Sequence, residues 1–69
     1  MQNWEYAIVY MGEAAIGRHS EWTATGESVT TSEYLIRVLG QMGSKGWEMC
    51  GVDATTRSAS YIFKRPTSN

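Results

Sequence analysis

The sequence predicts a single small α+β domain in which one amphipathic helix covers one face of a four-stranded antiparallel sheet, in the order β-β-α-β-β. Four segments contain aromatic and β-branched residues, and glycines punctuate the connections that follow the first and second of them, a pattern typical of antiparallel strands. Between the second and third segments, apolar residues recur at helical spacing. With 69 residues, the chain is expected to form one domain over residues 1–69.

The first predicted strand, residues 3–11, is apolar on both faces. Alternation places Trp4, Tyr6, Ile8 and Tyr10 on one face. The other face carries Glu5, Ala7, Val9 and Met11, of which only Glu5 is polar. A strand that is apolar on both sides is covered on both sides. Since one short helix covers a single face, we expect a second copy of the chain to cover the other.

The middle of the chain is predicted to hold a returning strand and then the helix. Residues 19–25 have strand propensity and are expected to pair with the first strand. Thr30 and Glu33 fit a capping box, which would start the helix with Thr30 as N-cap. The following helical stripe is expected to pack on the sheet and consists of Leu35, Val38, Leu39 and Met42.

The helix has a second ridge with little side-chain bulk, formed by Ile36, Gly40 and Gly43. Such a ridge permits close backbone approach, either to the sheet or to another subunit. Together with the second apolar strand face, it predicts a homo-oligomer. The residues expected at the oligomer interface are Val9, Met11, Ile36 and Gly40.

The Gly-x-x-Gly sequence at Gly43–Gly46 is interpreted as the end of this helix. In nucleic-acid-binding KH modules such a loop joins two helices and clamps a backbone. Here it precedes a strand-like run, so one of its glycines is expected to supply the left-handed residue that closes the helix. The last two strands are predicted at residues 47–52 and 59–65, with Arg57 in the turn between them and Pro66 ending the second.

Three short motifs together resemble a known family. They are Trp4-Glu5-Tyr6 at the start, Gly43-x-x-Gly46-Trp47-Glu48 after the helix, and Tyr61 to Pro66 (YIFKRP) at the end. Their order and spacing resemble the small bacterial and phage family catalogued as domain of unknown function 4177, although residues 12–29 depart from its usual first connection. The resemblance implies an antiparallel sheet with one helix. It implies no catalytic residues.

Charge and composition bear on partners and location. Six basic and seven acidic residues are mixed along the chain, which disfavours a surface for nucleic acid or for anionic membranes. No apolar run approaches the ~20 residues of a membrane-spanning helix. Residues 1–5 lack the pattern of a signal peptide, and Cys50 is the only cysteine. We therefore expect a cytoplasmic protein.

Catalysis is not expected from this set of residues. His19 and Cys50 could in principle act as base and nucleophile. Cys50 alternates within a predicted strand, where we expect it to be a small buried hydrophobe. One histidine and one cysteine do not make a four-ligand zinc site. The sequence predicts a protein that is not an enzyme and that has neither a metal nor a cofactor.

Polar and aromatic residues outside the expected core suggest a binding role. Arginine offers bidentate donors to phosphate, and tryptophan and tyrosine offer stacking planes for a base. The hypothesis is a non-enzymatic oligomeric binding module, such as a phage anti-defence protein that sequesters a nucleotide-like signalling ligand at subunit interfaces. The candidate ligand-binding residues are Arg18, His19, Trp22, Tyr34, Arg37 and Arg57. The alternative is a protein-interaction module that inhibits or scaffolds a larger host enzyme through its sheet edge or face.

Overall fold

The structure, a computed structural model, describes residues 2–13, 20–55 and 59–67. These residues form the predicted β-β-α-β-β order. The strands are β1 (Trp4–Glu13), β2 (Ser20–Thr25), β3 (Glu48–Asp53) and β4 (Ser60–Pro66), and the helix α1 is Leu35–Ser44. All three strand pairings are antiparallel, and the sheet order is β2-β1-β4-β3. β1 and β4 are therefore the middle strands.

The core lies between α1 and one face of the sheet. Val38 and Met42 of the predicted helical stripe are fully buried, and Leu35 and Leu39 pack against the core at its border. The sheet contributes Ala7, Val9 and Phe63, and Trp47 closes the core from just before β3. The stripe prediction is confirmed.

The predicted capping box is wrong. The helix begins later, with Tyr34 at the N-cap position, and the Ser32 hydroxyl accepts a hydrogen bond from the Tyr34 backbone N–H at 3.0 Å. Thr30 is held instead by the side-chain amide of Gln41, which accepts from the Thr30 N–H and donates to its carbonyl, each at 2.7 Å. The segment before the helix therefore runs alongside α1.

The end of α1 follows the predicted glycine closure, and Gly46 is the residue that provides it. Its φ of 88° lies in the left-handed region. The N–H of Gly46 donates to the Gly43 carbonyl at 3.0 Å, and that of Trp47 donates to the Met42 carbonyl at 3.1 Å. This pair of bonds is the Schellman motif. It also delivers the Trp47 ring to the core beside Met42.

Cys50 is exposed, so the prediction of a buried thiol is wrong. The register between β3 and β4 shifts between Met49 and Gly51, where Met49 opposes Phe63 and Gly51 opposes Ile62. Cys50 is the extra residue of this bulge. β3 is an edge strand of the sheet, and none of its residues is buried.

Candidate interaction surface

The helix-free side of the sheet carries a stripe of large apolar side chains that we call the open face. Its centre is formed by alternate residues of the middle strand β1, whose exposed fractions range from 36% to 60%: Trp4, Tyr6, Ile8 and Tyr10. On the neighbouring strand β4, Lys64 opposes Tyr6 and Ile62 opposes Ile8, so both stand on the same face. Nothing in the described part of the chain covers this stripe.

Polar residues surround the stripe on the two outer strands. Thr23 and Thr25 of β2 oppose Tyr10 and Ile8. On the far side, register places Glu48, opposite Lys64, and Asp53, opposite Ser60, on the same face. An apolar, aromatic centre with a polar rim is the usual anatomy of a protein–protein interface.

Charge on the open face is mixed and slightly negative. Register adds Glu21 to it, because Glu21 opposes Gly12 two residues beyond Tyr10. With Glu48 and Asp53 this makes three carboxylates against the single ammonium of Lys64 among the described residues. The Lys64 ammonium lies 4.4 Å from the centre of the Trp4 ring, in a cation–π contact.

Neither edge of the sheet is well suited to pairing with a further strand. The outer side of β2 is partly used, because Trp22 and Ser32 exchange backbone hydrogen bonds at 2.7 and 3.3 Å. On the other edge, the bulge at Met49–Gly51 interrupts β3. Bulges and covered edges are devices that oppose edge-to-edge pairing.

One end of the sheet holds a polar cluster that the sequence did not reveal. The Arg65 guanidinium donates through Nε to Glu5 at 2.6 Å and through Nη1 to the Lys45 carbonyl at 2.6 Å. The same Nη1 lies 3.4 Å from Glu27, and the guanidinium stacks 4.1 Å from the centre of the Trp47 ring. Arg65 thus joins β1, β4 and the end of α1. Its partners are up to 60 residues away along the chain, so no spacing pattern indicated them.

Glu27 is the acceptor at the centre of this cluster. The Trp47 indole N–H donates to its carboxylate at 2.9 Å, and this bond is the main reason that the pKa of Glu27 is lowered. The Ser28 backbone N–H and the charges of Lys45 and Arg65 act in the same direction, while partial burial opposes them. A carboxylate therefore fixes the orientation of a core tryptophan. We assign the cluster a structural role.

Asp53 has a lowered pKa for a local reason. Both the hydroxyl and the backbone N–H of Thr55 donate to its carboxylate, at 2.7 and 3.0 Å. These bonds form the turn that follows β3. No further charged partner is needed to account for the direction of the shift.

Three of the predicted ligand-binding residues lie near the start of α1. Tyr34 is exposed, and the Arg37 guanidinium lies 5.6 Å from the centre of its ring. Trp22 is on the helix side of the sheet, half-buried, with its ring 5.8 Å from that of Tyr61. Trp22 is therefore not part of the open face. The other three candidates lie outside the described residues: Arg18, His19 and Arg57.

The predicted oligomer interface is corrected in part. Val9 has no exposed surface, because it is packed under α1 in the chain's own core. It therefore cannot contact a second chain. Met11 lies on the same covered face and is half-buried. Ile36 and Gly40 are exposed on the outer side of α1, where nothing lies within 4 Å of a Cβ built on Gly40.

Within the described ranges, the one helix is too short to cross a membrane. Those ranges also hold no group of three histidine, cysteine, aspartate or glutamate side chains that could bind a metal ion.

Comparisons with known proteins give no match to a family model, to a curated protein or to a solved structure. The resemblance to domain of unknown function 4177 stays a prediction.

Proposed function

We propose that the protein is a binding module that acts by non-covalent association, and that the open face is its binding surface for another protein surface. The observation that carries this proposal is the unbroken stripe of four large side chains on the middle strand β1. These side chains form one contiguous patch, whereas the exposed hydrophobic residues of an ordinary protein surface are scattered singly. Contiguous apolar patches with a polar rim mark interaction sites. The protein works by occupancy of this surface and not by chemical turnover.

The charge around the stripe favours a protein partner over nucleic acid. Aromatic rings on a sheet can stack on bases, but such surfaces also carry basic residues that follow the backbone. The rim here carries Glu21, Glu48 and Asp53, which would face the phosphates of a nucleic acid. Because these carboxylates repel phosphates, the rim favours a protein partner of mixed charge with an apolar centre.

A comparative capture experiment tests the proposal. The wild type, Tyr6→Glu and Ile36→Glu are immobilised and exposed to the same extract. Each protein that the wild type retains is identified, purified and titrated against all three. We expect binding to be lost with Tyr6→Glu, at the centre of the open face, and kept with Ile36→Glu, which is 73% exposed on the helix. Equal binding of all three by every purified partner would contradict the proposal.

A second candidate function rests on the exposed pair of Tyr34 and Arg37. A guanidinium beside an aromatic ring can bind a phosphate while the ring stacks on a base. This arrangement supports the sequestration of a nucleotide-like ligand, with a phage anti-defence role as its setting. A thermal-shift screen with mononucleotides and cyclic dinucleotides tests it, because a bound ligand raises Tm by mass action. Arg37→Gln should abolish the shift.

A further inference from the structure

We propose that the partner of the open face is a second copy of this chain, packed sheet against sheet around a two-fold axis. This inference rests on the proposed function, since it names the occupant of the same surface. It differs from the sequence-based interface in the residues that it uses. The stripe on β1 takes the place of Val9 and Met11, which lie on the covered side.

The stripe is self-complementary. Its four residues are spaced evenly along β1, so they are symmetric about the level of Ala7. A two-fold axis that crosses the strand at this level places Tyr6 of one copy against Ile8 of the other. The same axis brings Trp4 of one copy towards Tyr10 of the other. An isologous interface requires this kind of match between a surface and itself.

The carboxylates of the open face lie away from its apolar centre, so they permit association with a copy of itself. The face carries both signs, with Lys64 near the centre and carboxylates towards both outer strands. A second copy brings one lysine and three carboxylates, and the carboxylates of both copies lie on the outer strands, where solvent screens their repulsion. A partner surface of uniform sign would meet like charge either at Lys64 or at the rim, which costs binding free energy.

The size of the face fits a small dimer. Four strands by about six residues make a plane of roughly 400 Å². Side chains that stand on this plane add accessible area, which places the paired faces near the lower end of specific interfaces, about 1,200 Å² in total. Sheets that pack face to face in this way keep their strands within about 30° of each other.

The geometry of the two sheet edges disfavours edge-to-edge pairing, which is the other common way for two sheets to associate. Edge-to-edge pairing needs a straight strand with free backbone groups. The bulge at Met49–Gly51 interrupts β3, and Ser32 already pairs with Trp22 outside β2. Association through the face is therefore favoured over extension of the sheet.

Sedimentation equilibrium of the purified protein, from low micromolar to submillimolar concentration, tests the inference. We expect the wild-type mass to rise with concentration to twice that of the chain. Tyr6→Glu should weaken dimerisation at least about thirtyfold, because a charge is buried at the centre of the interface. The variant chain should still fold, since residue 6 opposes Lys64 within the sheet. Ile36→Glu is the matched control and should dimerise like the wild type.

Circular dichroism of each variant separates lost folding from lost association. Should Tyr6→Glu unfold, Ile8→Thr replaces it, because threonine keeps the β-branch while it removes apolar surface. A wild type that keeps the mass of one chain at every concentration overturns the inference. So does a dimer that neither folded variant weakens.

The outcomes also separate this inference from the proposed function. A monomeric wild type whose binding to another purified protein is lost with Tyr6→Glu disproves the second copy and leaves the open face as a binding surface. A dimer unaffected by Tyr6→Glu, together with partners that bind all variants equally, disproves both.

Discussion

The two faces of β1 differ in what covers them, although both carry apolar side chains. Ala7 and Val9 are packed beneath α1 and have almost no exposed surface. Their neighbours Tyr6 and Ile8 point the other way and keep 60% and 41% of their surface exposed. The same strand therefore contributes to folding through one face and is available for association through the other. Hydrophobic residues placed one position apart thus have different roles.

The largest effect is expected on the helix side of the sheet. Met42→Ala removes a fully buried side chain that touches both the helix and the sheet core, and should lower the free energy of unfolding by about 2–5 kcal/mol. Ile36→Ala, on the exposed side of the same helix, should change it by less than about 0.5 kcal/mol. Urea unfolding followed by circular dichroism measures both. Similar losses for the two variants would contradict the assignment of the core.

A second pair of variants compares the two faces of β1 directly, and the expected effect is smaller. Val9→Thr keeps the shape of the side chain but buries a hydroxyl beneath α1, and should cost about 1–3 kcal/mol of folding free energy. Ile8→Thr leaves its hydroxyl in solvent and should cost less than about 1 kcal/mol in dilute protein. Unfolding is measured at the lowest workable concentration, so that dimerisation does not contribute. A larger loss of folding free energy for Ile8→Thr than for Val9→Thr would show that the covered and open faces of β1 are assigned the wrong way round.

The smallest effect is a pH dependence at the polar cluster. The pKa of Glu27 is lowered in the folded chain, chiefly by the Trp47 indole N–H, so its ionised form stabilises the fold above its ordinary pKa. This contribution is lost as the pH falls through the folded-state pKa. We therefore expect the free energy of unfolding to decrease on acidification, and Glu27→Gln to decrease less.

Asp53, also with a lowered pKa, contributes to the wild-type decrease in the same direction. The difference between the wild type and Glu27→Gln isolates the part due to Glu27. Urea unfolding between neutral pH and about pH 3 measures it. Identical pH profiles for the two proteins would show that the contact with Trp47 does not hold in solution.

Local patterns account for the parts of the fold that sequence reasoning predicted. Alternation along β1 and the stripe through Val38 and Met42 depend only on neighbouring residues, and both are confirmed. The helix end is also local, since it depends on the left-handed conformation that Gly46 adopts. The failures lie at the start of the helix and on β3. Tyr34 takes the position assigned to Thr30. Cys50 is exposed because β3 lies at the edge of the sheet, where none of its residues is buried.

The sequence predicts the residues of the candidate surface but not that this face is the open one. Alternation separated Trp4, Tyr6, Ile8 and Tyr10 from the residues between them, and it showed that both sets are apolar. The predicted interface comprises Val9, Met11, Ile36 and Gly40, of which the structure buries Val9. The sequence assigns no contact to Glu27 or Arg65, because their contacts join segments that only the folded chain brings together.

The sequence by itself determined the order of elements, the buried stripe of the helix, and the presence of two apolar faces on one strand. Only the tertiary structure decided which face the helix covers. A period of two residues divides a strand into two faces but does not say which of them is buried. When both faces are apolar, the hydrophobic effect favours covering either one. The choice is made by how α1 and the segment before it pack against β2 and by the contacts that position Trp47, and these are long-range interactions.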